Sequence, residues 1–130
     1  MQIFVTGGAG FIGSHACVDL LNEGYDVRIF DNFSNSTFSV IECIEKITQK
    51  KVSYIQGDIR DTLALERALS GCDAVIHFAG LKAVGESVHE PLKYYDNNVH
   101  GTLCLLQTMQ KLKIKKLIFS SSATVYGDPL

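Results

Sequence analysis

The chain lacks the features that would place it in several large functional classes. Its 130 residues carry 12 Lys plus Arg against 14 Asp plus Glu, a formal charge of −2, so there is no basic field to hold a phosphate backbone and nucleic acid is not an expected partner. The densest basic stretch, Lys111, Lys113, Lys115 and Lys116, falls at a predicted helix end, where cations suit the negative pole of the dipole. Only four cysteines occur, Cys17, Cys43, Cys72 and Cys104, with no C-x-x-C and no histidine at ligand spacing. That excludes a zinc site and a redox pair, no metal is expected, and the cysteines read as small, mostly buried hydrophobes. No stretch approaches the ~20 apolar residues of a membrane span, and the N-terminus runs straight into a strand without a basic leader. No membrane partner and a cytoplasmic location are the expectation. Repeats, low-complexity tracts and linkers are absent too, which leaves one domain over residues 1–130.

What is present is an alternation of short apolar runs with longer amphipathic stretches. This is the pattern of βαβ units, and it predicts a Rossmann-type α/β fold: a doubly wound parallel sheet of about five strands with helices on both faces. The strands are expected at Gln2–Thr6, Asp26–Phe30, Val52–Gln56, Ala74–Phe78 and Lys116–Ser121, all apolar enough to be buried on both sides. The first helix would bury Ile12, Ala16, Leu20 and Leu21 and end at Gly24. A second would be capped by Asp61, bury Leu65, Ala68 and Leu69, and stop at Gly71. The longest would start at Pro91 and present Tyr95, Val99, Leu103, Leu106 and Met109, with Gly101 either packed closely on the sheet or weakening the helix there. The polar stretch Asn32 to Ser39 reads as a loop. The sequence stops at Asp128-Pro129-Leu130, before any helix or strand that could cover the fifth strand, so it reads as truncated ahead of a substrate domain. An exposed apolar strand face would favour a homodimer or self-association.

The strongest motif is Thr6-Gly7-Gly8-Ala9-Gly10-Phe11-Ile12-Gly13, directly after the first strand. Gly8-x-Gly10-x-x-Gly13 in that place fits a dinucleotide fingerprint: early glycines allow a tight turn and close approach to pyrophosphate, and Gly13 lets the helix press on the sheet. The amides around Phe11 and Ile12 would face the phosphates. No G-K-[ST] occurs after it, which disfavours a phosphate-loop NTPase. Asp31, eighteen residues past Gly13, stands where an acid binds a ribose hydroxyl, and its charge with no nearby arginine favours NAD over NADP; it could instead cap a turn with Asn32. Asp58 could accept a hydrogen bond from an adenine amino group or be a turn residue. His77 reads as a satisfied core histidine, and small Ala79 and Gly80 leave room at the carboxyl end of the fourth strand. The hydroxyls of Ser120-Ser121-Ser122 and Thr124 could reach a substrate oxygen or satisfy a turn.

At TGGAGFIGSH (6–15), DNFSNS (31–36), GDIRD (57–61), HFAGLKAVGES (77–87), YYDNNVHGTL (94–103) and SSSATVYGDP (120–129) the chain resembles the extended short-chain dehydrogenase/reductase family, over essentially its whole length. Related sugar-nucleotide dehydratases look similar at the glycine motif but not at HFAGLKAVGES, which points to the UDP-hexose 4-epimerase branch of isomerases. The resemblance implies a tightly held NAD. Gly7, Gly10, Phe11, Ile12 and Gly13 would meet its pyrophosphate, and Asp31, Asn32, Phe33, Ser34, Asn35 and Ser36 its adenosine ribose. Asp58 and Ile59 would meet the adenine, with Phe78, Ala79, Gly80, Leu81, Lys82 and Asn97 completing the contacts. It further implies transient oxidation at C4 of a UDP-hexose, as in galactose metabolism. Ser122, also counted among the cofactor contacts, would hydrogen-bond the C4 oxygen and relay its proton to a tyrosine, and Thr124 would order the sugar. The family's Tyr-x-x-x-Lys pair is missing: Ile29, Asp58, Asn98, Val99 and Leu130 stand four residues after the five tyrosines. The chain alone is therefore expected to be inactive. A stand-alone NAD-binding or interaction module, or another NAD-dependent sugar-nucleotide epimerase or dehydratase, is the alternative.

Overall fold

The computed structural model describes residues 1–127. Five parallel strands, β1 (Gln2–Thr6), β2 (Asp26–Asp31), β3 (Ser53–Gln56), β4 (Ala74–His77) and β5 (Lys116–Phe119), form one sheet in the order β3-β2-β1-β4-β5. Strand order reverses between β1 and β4, so the crossovers leave this point on opposite faces and their loops part at the carboxyl edge. Side chains alternate along β1: Ile3 and Val5 join one core cluster, Phe4 the other.

On the first face lie α1 (Phe11–Asn22) and α2 (Ser39–Thr48); on the second lie α3 (Thr62–Leu69) and α6 (Gly101–Lys111). Both faces carry wholly buried side chains, among them Val5, Ile29, Phe4, Phe30, Leu65 and Leu105. Each such group contributes about 1.5–3 kcal/mol by leaving water. Arg28 looks out of place on a central strand, but its guanidinium donates to the carbonyls of Ala68 (2.7 Å) and Ser70 (2.9 Å), closing the end of α3 where acceptors are left over.

Several expectations need correction. Edge strands are not buried on both sides: all four residues of β5 are exposed, and β3 is mostly so, because each has a neighbour on one side alone. In α1 the inward residues are Gly13, Cys17 and Leu21, while Ile12 is half-exposed, since the helix is turned so that Gly13 meets the first loop. Helix α2, with Ile41, Ile44 and Thr48 inward, and the short α4 (Val84–His89) are additions to the expected elements. α3 is as expected: Asp61 caps it by accepting from the amides of Leu63 and Ala64, both at 3.0 Å. Of the cysteines, Cys43 is exposed and the other three are buried.

The largest departure is in the long helix. It is three consecutive pieces, α5 (Pro91–Tyr95), a π-helical turn (Asp96–His100) and α6. The π-turn takes in one extra residue and so rotates α6 about the helix axis relative to α5. The buried set is therefore Asn97, Gly101, Cys104, Leu105, Thr108 and Met109, and of the expected face only Met109 is buried; Tyr95, Val99, Leu103 and Leu106 are exposed. Gly101 is packed not on the sheet but under Ile59, whose Cδ1 would lie 2.6 Å from an added Cβ.

Candidate functional site

The parted loops enclose a cleft of about 380 Å³ at the carboxyl edge of the sheet. Its floor is the turn between β1 and α1. Gly7 has φ +68°, a left-handed conformation, and donates to the Phe30 carbonyl (2.8 Å); Gly10 then donates back to the Gly7 carbonyl (3.1 Å). The tight turn thus sits at Gly7, and Gly8 is buried against Ile29 and Cys17, so the working triplet is Gly7, Gly10 and Gly13 rather than one beginning at Gly8. A Cβ on Gly13 would stand 2.2 Å from the Gly7 carbonyl oxygen. α1 begins with no side-chain cap, so its first amides, at Phe11, Ile12 and Gly13, face the cleft with the positive end of the helix behind them.

One rim is Asp31 to Ser36. The Asp31 carboxylate accepts from the Ala9 amide (3.0 Å), the Phe33 amide (2.9 Å) and the Ser36 hydroxyl (3.4 Å), so it shapes the loop as well as facing the cleft. Asn32, Ser34, Asn35 and Ser36 line the cleft; Phe33 turns away to stack on Phe38 with ring centroids 4.1 Å apart. Beneath this rim Cys17 is an inert thiol, pushed up to about 12 by burial and then by the Asp31 charge.

The opposite rim is the chain after β4. Phe78, Ala79, Gly80, Leu81 and Lys82 line it, with Ala83 added and buried Asn97 beside them. Asn98 clamps this loop: its Oδ1 accepts from the Leu81 amide (2.8 Å) and from Asn97 Nδ2 (2.9 Å), and its Nδ2 donates to the Leu81 carbonyl (2.9 Å). His77 lies behind, buried, with Thr6 on Nδ1 and Thr102 on Nε2, a satisfied core group that burial holds down at about 4.

The third wall comes from the end of β3. Phe30, Gly57 and Ile59 line the cleft, but Asp58 does not. Arg60 takes both its carboxylate oxygens, and this pairing holds Asp58 down at about 2. Arg60 and Asn98 escape sequence reasoning because each acts on a segment far along the chain. Ser122 and Thr124 are exposed on the 3₁₀ turn Ala123–Tyr126 and its cap, with their hydroxyls 2.6 Å apart, and neither lines the cleft. That turn comes after β5, which pairs with β4 through Ile76 and His77. The end of the SSSATVYGDP motif, at 128–129, and Leu130 lie outside the described residues. Among the described residues no cluster of metal-binding side chains occurs, and no helix is long and apolar enough to cross a membrane.

A glycine turn pressed against a helix N-terminus, with an acid at the end of β2, suits a dinucleotide: Gly10 presents no side chain to it, and the open amides match its phosphates. Comparison with known proteins agrees with this geometry. The family model for GDP-mannose 4,6 dehydratase matches residues 4–130. A UDP-glucose 4-epimerase of Schizosaccharomyces pombe is 56% identical over 98% of the chain, which spans 36% of that relative's length. Another of Klebsiella pneumoniae is 54% identical over 98% of the chain and 94% of the relative. The crystal structure of UDP-glucose 4-epimerase from Bifidobacterium longum in complex with NAD+ and UDP superposes with a TM-score of 0.94 at 56% identity, over 98% of this chain and 38% of that one. A second, from Stenotrophomonas maltophila with bound NAD and formylated UDP-arabinopyranose, gives 0.96 at 49% identity over 99% of this chain and 39% of that one. By sequence and by fold, the chain belongs to the family matched by the GDP-mannose 4,6 dehydratase model and, within it, to the UDP-glucose 4-epimerases.

Proposed function

We propose that this chain is the NAD-binding portion of an enzyme that interconverts UDP-galactose and UDP-glucose, an isomerase of cytoplasmic galactose metabolism. The observation that carries the reading is the cleft itself, in which the uncapped start of α1, the Asp31 rim and the Ala79–Lys82 rim surround one space. Phe11 and Ile12 would hold the pyrophosphate, Asp31, Asn32, Ser34, Asn35 and Ser36 the ribose, and Ile59 the base, with Asp58 reaching it from beside the cleft lining; Phe78 to Lys82 and Asn97 complete the contacts. Bound NAD would supply a reversible hydride acceptor for C4 of the sugar. Ser122 would hydrogen-bond the C4 oxygen and relay its proton to a tyrosine of the complete enzyme, with Thr124 ordering the sugar from two residues away, as their 2.6 Å contact favours. No lysine stands four residues after any tyrosine of the chain, so the reading assigns no turnover to residues 1–130 alone.

Calorimetric titration with NAD+ tests this. Saturable binding is expected in the wild-type chain and its loss in Asp31→Ala and Gly10→Val, with no conversion of UDP-galactose by the same preparation. A folded chain that ignores NAD+, or one that turns over the sugar, would overturn the assignment.

We further propose a homodimer. Leu92, Tyr95, Val99, Leu103 and Leu106 are 40–82% exposed along α5, the π-turn and α6, and β5 adds Leu117, Ile118 and Phe119. Apolar surface of this extent favours a protein partner over water. Sedimentation is expected to show species heavier than 14.3 kDa, and one monodisperse 14.3 kDa species at high concentration would rule the dimer out.

A further inference from the structure

One residue joins walls of the cleft that come from distant parts of the chain. The Arg60 guanidinium donates from Nε to Asp58 Oδ1 (2.9 Å), from Nη2 to Asp58 Oδ2 (2.7 Å) and from Nη1 to Asp96 Oδ2 (2.6 Å). The second oxygen of Asp96 meets His100 Nδ1 at 2.9 Å, across one turn of the π-segment. Ile59 also packs on Gly101, so the loop after β3 is fastened to the π-turn at the surface and to the start of α6 in the core. The same π-turn carries Asn97 and Asn98, and Asn98 holds both the amide and the carbonyl of Leu81. A continuous path therefore runs from the wall at Gly57–Ile59, through Arg60 and Asp96, to the wall at Gly80–Lys82.

We propose that Arg60 is a positioning residue for the dinucleotide, its planar fork setting the base-side wall and the Leu81 wall at one separation; this rests on the NAD reading above. The fork is needed because two carboxylates on different segments must be gripped at once. A guanidinium offers parallel donors in a fixed plane, whereas an ammonium is a single point charge. The same grip orients the Asp58 carboxylate beside the wall that would take the base, as an acceptor that can receive a hydrogen bond from an exocyclic amino group and offers none to a carbonyl. Nothing in the pairing touches the glycine turn, which makes Arg60 separable from the phosphate contacts.

The test compares wild type, Arg60→Ala, Arg60→Lys, Asp96→Asn and the Arg60→Ala/Asp96→Asn double variant by NAD+ calorimetry, urea unfolding and amide hydrogen exchange. Arg60→Ala is expected to weaken NAD+ binding about tenfold, the scale of removing one charge-assisted hydrogen bond from a site. Unfolding should stay close to wild type, because the paired groups are accessible and can hydrate. Arg60→Lys should recover only part of the affinity. Asp96→Asn should weaken binding with the Asp58 pair intact, and the double variant should be no weaker than Arg60→Ala. Exchange at the Leu81 amide should quicken in Arg60→Ala. Affinity unchanged by Arg60→Ala against a binding wild type, additive losses in the double variant, or Leu81 exchange that does not move would each overturn the proposal. A wild type that does not bind NAD+ would remove the dinucleotide, and the Leu81 arm would still decide whether Arg60 joins the two walls.

Discussion

Gly13→Ala is expected to lower the free energy of unfolding by about 3 kcal/mol and the thermal midpoint by roughly 10 °C, whereas Gly10→Ala, three residues earlier, should cost under about 1 kcal/mol. The difference lies in what each new methyl meets. At Gly13 it would stand 2.2 Å from the Gly7 carbonyl oxygen and 2.9 Å from Gly8 Cα, both backbone atoms with no rotamer to change. Relief would require α1 to lift off the loop, opening the layer that holds Cys17 and Leu21 against the sheet. At Gly10 the one close atom is the Gly7 oxygen at 3.2 Å, which a few tenths of an ångström relieve. Scanning calorimetry on the two variants decides the matter: equal midpoints would mean that the helix does not bear on the turn as described.

Acidification is expected to remove about 3 kcal/mol of stability through His77 alone. The imidazole sits in a directed chain of hydrogen bonds. Thr102 donates its hydroxyl hydrogen to the Asn98 carbonyl (2.6 Å), so it must accept from His77 Nε2 (2.9 Å). Nδ1 is then an acceptor, served by the Thr6 hydroxyl at 2.5 Å, and Thr6 in turn accepts from the Ala79 amide (3.3 Å). Every hydrogen in the chain has one place to go, and the arrangement holds only a neutral ring. Burial lowers the histidine from 6.5 to about 4, so between these values the unfolded chain binds a proton that the folded protein refuses. Stability therefore falls as pH drops through this window, by about 1.4 kcal/mol per unit, and is independent of this group above it. Urea unfolding from about pH 7.5 to about pH 4.5 should show the slope in wild type and not in His77→Gln. Parallel profiles would sink the idea.

Both effects reside in residues that the sequence displays openly. Strands show as apolar runs because three of the five have neighbours on both sides, and the glycine turn shows because so few residue types tolerate its geometry. Asp61 is visible as a cap for the same local reason: its partners, Leu63 and Ala64, are two and three residues away. Contacts between groups distant in sequence leave no such trace. Arg60 and Asp96 are 36 residues apart, and Asn98 reaches back 17 to Leu81, so no periodicity reports either contact. Helix α2 is hidden by the polar stretch leading into it and by the mixture of Glu and Lys around Ile41 and Ile44. The face of the long helix is misleading because a 3.6-residue period assumes regular turns, and Tyr95, Val99 and Leu103 keep that period on the side away from the core.

The π-turn makes one continuous helix answer to two masters at different azimuths. Upstream of it α5 is oriented by the Ala83–Glu86 segment, through Lys93 and Tyr94, while the turn itself carries Asn97 and Asn98 to the Leu81 loop; downstream α6 is oriented by the sheet, through Cys104, Leu105 and Met109. Since each residue advances an α-helix by about 100°, losing a single residue between 96 and 100 would regularise the backbone yet swing one of these sets off its target. The segment is thus fixed in length, a ratchet tooth set into a rod.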